Sequence, residues 1–261
     1  MRIVCLSAEA ADICARLGAW EEVQAVSAFA SQAGLAPRPV IGGFSTADCT
    51  RVAGFNPDLV ICFSDVQAEI AAHLIRAGCA VLTTNQRTLA EIAGVIRLIG
   101  GAIGRAPAAE ALADQFLHEL AALASPSAPR PRVYFEEWPD PLISGIGWVG
   151  ELIELCGGHD LFAARCGRAS RERVVQPEEI IEANPEIILA SWCGRTVDPA
   201  AIRTRPGFSS IRAVQDQQIH AIPSDLLLQP GPRVLAGARE LQRIFADWQH
   251  RACIATPPHP P

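Results

Sequence analysis

No lysine occurs in this chain; its 22 cationic side chains are all arginine, against 28 carboxylates. A net charge of −6 leaves no basic surplus for non-specific nucleic-acid binding. No run of about 18 apolar residues exists, so a transmembrane helix is not expected. Tight metal-ligand spacing such as HExxH is missing, as are a GxSxG elbow and a Walker motif, and the glycines at Gly100, Gly101 and Gly104 follow a helix rather than a strand. Nothing specific therefore points to hydrolase, NTPase or dinucleotide chemistry. The nine cysteines are odd in number and never spaced CxxC, and most lie in apolar runs, as Cys62 does. They are expected to be small buried hydrophobes in a reducing compartment. The start, Met1 to Ser7, goes straight into a strand-like run without the pattern of an export signal. If Met1 is the natural start, this favours a cytoplasmic protein.

What is present is alternation. At 261 residues and 49% hydrophobic, the chain suits one large domain or two smaller ones with real cores. Strand-like runs at 2–6, 23–27, 59–63 and 80–84 alternate with helical periodicity at 8–17, 46–54, 66–77 and 88–99, and Thr88 with Glu91 forms a capping box. That pattern predicts a parallel sheet covered by helices. An Ala- and Leu-rich stretch from Pro107 to Ala124 reads as one long helix, stopped by the prolines of 125–131. A second alternating half follows: a strand at 133–135, a loop at 136–147, a helix from Trp148, a short helix at 176–183, strands at 186–191 and 218–222, an extended loop at 223–232 and a final helix over 233–249. The expected divisions are an α/β lobe over 1–105, a connecting helix over 106–128, a second α/β lobe over 129–252 and a disordered tail over 253–261. One echo links the halves. Asn56-Pro57-Asp58 and Asn184-Pro185-Glu186 each precede a buried strand.

The aromatics Phe29, Phe44, Phe63, Trp138, Trp148 and Trp192 fall at or beyond predicted strand ends or turns. Each alone is ordinary packing; together, at matching places in two halves, they read as an aromatic-lined binding cleft. The loop after the 133–135 strand adds Glu136, Glu137 and Asp140, carboxylates suited to acid–base work or cation binding but equally to a solvated loop. Glu69 and Glu178, read from the sequence alone, are surface helix charges.

Taken in order, the stretches RIVCLSAEAADICARLGA, GGFS, NPDLVICFSD, PRVYFEEW, SGIGW, ELCGG, NPEIILASW and IPSDLLLQPGPRVLAGARELQRI resemble the solute-binding proteins of the helical-backbone type, which bind vitamin B12 or ferric siderophores for ABC importers. The resemblance spans about residues 2–249. It implies two Rossmann-like lobes joined by one long rigid helix, the class III periplasmic-binding-protein arrangement. It implies a monomer, no enzyme activity and no resident cofactor or metal. The bound ligand would be a corrinoid, with a ferric siderophore or haem-type chelate as the alternative, and a metal- or tetrapyrrole-handling enzyme on the same fold as the reading from another class. The resemblance implies ligand contacts at Phe29 and Phe63 in the first lobe and Asp225 in the second, with Glu136, Glu137 and Trp138 in the segment of another aromatic contact; Phe44, Trp148 and Trp192 join them as expected ligand residues from the reading of the strand-end aromatics. Glu69 and Glu178 match the glutamates that dock such proteins onto permease subunits. The family also implies a periplasmic location. Gln229 stands where these proteins carry an arginine, and polar residues near Arg173 replace a tryptophan.

Overall fold

The computed structural model describes residues 1–30, 34–125, 129–165, 167 and 169–255. The chain divides into two compact units. Unit 1 is Met1–His118 with Gln229–Arg233; unit 2 is Glu119–Leu228 with the chain from Val234 onward. The strand–helix alternation becomes β1 Ile3–Cys5, α1 Ala8–Arg16, β2 Val23–Val26, α2 Cys49–Gly54, β3 Leu59–Phe63, α3 Ala68–Arg76, β4 Val81–Thr84, α4 Leu89–Ala102 and α5 Ala106–Ala122.

The four strands of unit 1 form a sheet in the order β2-β1-β3-β4, every pairing parallel. Val4, Val60 and Cys62 pack on one face with Val52 and Leu74, while Ile3, Cys5 and Ile61 are equally buried on the other. A sheet covered on both faces needs such continuous apolar strands. Thr88 and Glu91 close the expected capping box at the start of α4. Gly100 lets α4 approach α5: a Cβ there would lie 2.0 Å from the Ala109 methyl.

Unit 2 continues with β5 Arg132–Pro139, β6 Leu142–Ser144, α6 Gly147–Leu155, β7 His159–Asp160, α7 Pro177–Ala183, β8 Ile187–Ala190, α8 Pro199–Arg203, α9 Arg212–Gln215, β9 Ile219–Ala221, α10 Ser224–Leu227 and α11 Val234–Ala255. Its sheet runs β6-β5-β8-β9, with β7 pairing the start of β5. All its pairings are parallel except the β5–β6 hairpin. The core gathers Tyr134, Ile188, Trp192, Ile202, Phe208 and Ile211.

Several expectations change. The segment 136–139 is not an exposed loop but the second half of β5, returning through Asp140-Pro141 into β6. Pro139 is tolerated because it ends the strand, where its missing N–H breaks no ladder. The expected connector over 106–128 is divided between the units, since His118 belongs to the first and Glu119 to the second. The expected loop at 223–232 contains the single turn α10, and residues 229–233 return to unit 1. Of the expected tail over 253–261, the backbone to Ala255 is helical, and 256–261 lie outside the described residues. Cys5, Cys14, Cys62 and Cys156 are buried, Cys49 and Cys79 are partly covered and Cys193 is exposed; all seven are free thiols, and Cys166 and the side chain of Cys253 lie outside what the structure describes.

The Asn-Pro-acid echo acquires a physical meaning. Asn56 and Asn184 both hold the left-handed backbone, at φ 47° and 44°, in which asparagine is among the few tolerated residues. The acid two residues on then clamps the neighbouring strand. Asp58 N donates to Arg2 O at 2.8 Å, and Arg2 N to Asp58 Oδ2 at 2.7 Å. In unit 2, Glu186 N donates to Arg132 O at 2.8 Å, and Arg132 N to Glu186 Oε2 at 3.1 Å. One short motif thus sets the register of the central strand pair in each unit, Ile3 beside Leu59 and Val133 beside Ile187.

Candidate functional site

In open α/β sheets, ligands bind beyond the carboxyl ends of the strands. In unit 1 that edge is made by Leu6–Ser7, Ser27–Phe29, Phe63–Asp65 and Thr84–Arg87. Ser64 directly after β3 adopts φ 58°, ψ −179°, a conformation costing a non-glycine residue about 1–3 kcal/mol. It is held there by Ser64 N donating to Thr84 O at 2.7 Å, and by its hydroxyl accepting from Val66 N. Beneath it Gln67, with no exposed surface, ties three strand-end segments together. Its Oε1 accepts from Phe63 N at 2.9 Å, and its Nε2 donates to Leu6 O at 3.0 Å and to Phe44 O at 2.7 Å.

This knot sets the aromatics. The Phe44 and Phe63 rings lie 5.9 Å apart, tilted by 50°. The Arg87 guanidinium is 5.2 Å from the Phe63 ring centre and 3.4 Å from Asp65 Oδ1. Phe63 is buried, Phe44 half-buried and Phe29 exposed. The returning segment 229–233 joins the same edge: Gln229 Nε2 donates to Phe29 O at 3.0 Å and Gln86 Nε2 to Pro230 O at 2.8 Å. Gly231 lies against Glu9, where a Cβ would come within 2.7 Å of the Glu9 Cβ. Glu9 is buried, its Oε1 has no hydrogen-bond partner, and burial pushes its carboxyl up to about 7.

The corresponding edge of unit 2 is charged. Glu136 has no exposed surface and accepts from Arg205 in a two-pronged pair at 2.5 and 2.8 Å, from Trp192 Nε1 at 2.9 Å and from the Tyr134 hydroxyl at 3.3 Å. Expected as a wall carboxylate, it is instead the centre of an internal network. Burial, followed by the nearby Glu136 charge, pushes the Tyr134 phenol well up. Glu137 pairs with the buried Arg173, whose guanidinium also donates to Ser144 O at 2.7 Å. Trp148 is buried and its Nε1 donates to Leu227 O at 2.7 Å, so it fastens α10 to α6. Trp192 is buried as well. Trp138 keeps part of its ring open, its Nε1 donating to Asp140 O at 2.8 Å, and the Arg195 guanidinium stands 5.3 Å over that ring. Asp225, in the first turn of α10, is half-buried.

Among the expected site residues, then, the structure brings Phe44 and Phe63 together in unit 1, and Glu136 and Trp192 in unit 2. Those with open surface are Phe29, Phe44, Glu137, Trp138 and Asp225. Arg87, Arg195 and Gln67 stand at these edges without having been expected there. Their only signal was position, within about five residues after an apolar strand. Glu69 and Glu178 are both exposed, each in the first turn of a helix. Glu178 borders a groove of about 500 Å³ walled by Pro139, Pro141, Pro177 and Pro206.

Comparison with known proteins agrees with this architecture. Residues 3–226 match the periplasmic binding protein family, and the chain belongs to it. It is a solute-binding protein of the kind that serves ABC importers, not an enzyme. It is 26% identical over 257 residues to a cobalamin-binding protein of Halobacterium salinarum, covering 94% of this chain and 69% of that one. It is 26% identical over 218 residues to an uncharacterised ABC transporter substrate-binding lipoprotein of Bacillus subtilis, covering 78% of this chain and 67% of the relative. Among solved structures, the periplasmic haem-binding protein RhuT from Roseiflexus sp. RS-1 in apo form superposes with a TM-score of 0.81 at 25% identity, over 94% of this chain and 98% of the other.

Proposed function

We propose that the solute is a corrinoid, engaged through strand-end aromatic residues, and that the loaded monomer is delivered to a permease through Glu69 and Glu178. The observation that carries the ligand class is the open aromatic surface at both faces, Phe29 with Phe44 in unit 1 and Trp138 in unit 2. Flat rings bind large cyclic ligands through area and stacking. Asp225 and Gln229 supply polar contacts at the same edges. The name of the Halobacterium relative supports a corrinoid.

A haem-type chelate is the second reading, favoured by the likeness to the haem-binding structure. Haem iron held by protein takes His, Met, Tyr or Cys ligands. The strand-end residues 27–30, 63–67, 84–87, 136–144 and 191–195 contain no His, Met or Tyr, and the chain's single tyrosine is the buried Tyr134. Cys193 is the one exposed thiol there. A corrinoid carries its own cobalt ligands and needs none of these, which favours it.

Titration with cyanocobalamin, haemin and a ferric siderophore, followed by tryptophan fluorescence, tests the ligand class. Trp138 should report binding by quenching; no response to any of the three sinks the reading. For delivery, Glu69→Arg with Glu178→Arg should abolish uptake by cells carrying the cognate permease while leaving ligand affinity unchanged. Undiminished uptake would remove both glutamates from the docking role.

A further inference from the structure

On the strand-end face of unit 2 two exposed charges have no ion pair among the described residues, Asp140 and Arg195. Glu136 is paired inside with Arg205 and Glu137 with Arg173, and Asp225 has an interaction of its own. Arg195 differs. It is exposed in the turn after β8, fixed by Arg195 N donating to Trp192 O at 3.1 Å. Its guanidinium carbon stands 5.3 Å from the Trp138 ring centre, and among the described residues no carboxylate pairs with it. A cation–π contact uses the charge of the guanidinium and none of its N–H donors, which stay available for a carboxylate or phosphate. Many exposed arginines lack an acid. This one stands beside a partly open aromatic at the end of a sheet, where ligands bind.

We propose that Arg195 recognises an anionic group on the ligand, so that the solute is an anion-bearing ring compound and not a cationic one. The inference rests on the ligand-binding reading above. In a corrinoid the anion is the phosphodiester of the nucleotide loop; in a haem it is a propionate. Trp138 is then both a contact for the ring and the platform that aims the charge.

The test uses ligand pairs that differ in the anion. Wild-type protein, Arg195→Ala and Arg195→Lys are titrated with cyanocobalamin and with dicyanocobinamide, which lacks the nucleotide loop. Haemin and its dimethyl ester form a parallel pair. Arg195→Ala should weaken the anion-bearing partner roughly tenfold and the other less than twofold, a split that isolates the pairwise term. Arg195→Lys should restore part of the loss. Since Arg195 is exposed, thermal melts of the variants should match the wild type. Equal losses for both members of a pair, or none, would overturn the role of Arg195 while leaving ring binding intact. Wild-type protein that binds neither ring would remove the binding reading itself.

Discussion

Each unit buries one glutamate near its strand-end edge, and the two are treated in opposite ways. Glu136 in unit 2 has a guanidinium, an indole N–H and a phenol on its two oxygens. Glu9 in unit 1 has one oxygen without a partner, and burial holds its carboxyl up to about 7. A buried charge is tolerated when paired and hydrogen-bonded; otherwise the group tends toward neutrality. The two edges follow suit. Unit 1 is knotted by the neutral Gln67, unit 2 by two ion pairs. Yet at the opposite ends of the strands both units use the same Asn-Pro-acid clamp. The clamped ends of the strands are alike and the strand-end edges differ, the pattern expected where function lives in the site and not in the fold.

The largest effect should come from breaking the unit 2 network. Glu136→Ala leaves Arg205 without its carboxylate in a mostly buried place, at a cost of about 3–5 kcal/mol. Hydrogen exchange should show β5 and β8 losing protection while β1 and β3 keep theirs. Uniform loss across both units would mean that they unfold as one and that the contrast has no local meaning.

Next in size is the pH response of Glu9. Its carboxyl in the folded chain, at about 7, lies above the ordinary 4.5, so the native state keeps a proton that the unfolded chain releases. The stabilisation is complete below about pH 4.5 and is lost as pH rises through about 7, a swing of roughly 3 kcal/mol. Denaturation midpoints should therefore fall between pH 5 and pH 8, and Glu9→Gln should flatten that fall. Acids such as Asp58, Glu179 and Glu240, held low by hydrogen bonds from arginines or backbone N–H groups, respond below this window. A wild-type slope that survives in Glu9→Gln would assign the response elsewhere. Gln67→Ala, which removes three hydrogen bonds, two of them fully buried, should cost roughly 2 kcal/mol at all pH values. It should also loosen Phe44, readable as increased exchange around 42–46. Unchanged exchange there would detach Phe44 from the knot.

These contrasts mark where the sequence was readable. The alternation of apolar runs identified both sheets because buried parallel strands must be continuously apolar. The Asn-Pro-acid repeat was visible because its partners, the first strand of each lobe, are fixed by topology. Glu136 and Glu137 looked alike as neighbours in one segment. In an extended strand successive side chains point to opposite faces. Their separate fates depend on Arg205 and Arg173, 69 and 36 residues away, which no local pattern announces. The β5–β6 hairpin was hidden for a related reason: two prolines read as a break, yet at a strand end they interrupt no ladder. The return of 229–233 to unit 1 is marked by hydrogen bonds with Phe29 and Gln86, residues more than 140 positions away.

The finest test asks whether the two clamps are equal. Asn56 and Asn184 share the left-handed backbone, so glycine should fit both without steric cost. They differ in one bond: Asn184 Oδ1 accepts from Arg212 N at 2.8 Å, at the start of α9, while the Asn56 side chain makes no hydrogen bond among the described residues. Asn56→Gly should therefore change stability by less than about 0.5 kcal/mol, and Asn184→Gly should lose roughly 1 kcal/mol. Urea midpoints compared at one pH would measure the difference. Equal midpoints would show that the Arg212 contact contributes nothing, and that backbone geometry alone accounts for asparagine in both units. A gap of the expected size would mean that the shared motif has been adapted in unit 2 to hold α9 against the start of β8, since Arg212 also pairs with Glu186, the acid of the same clamp.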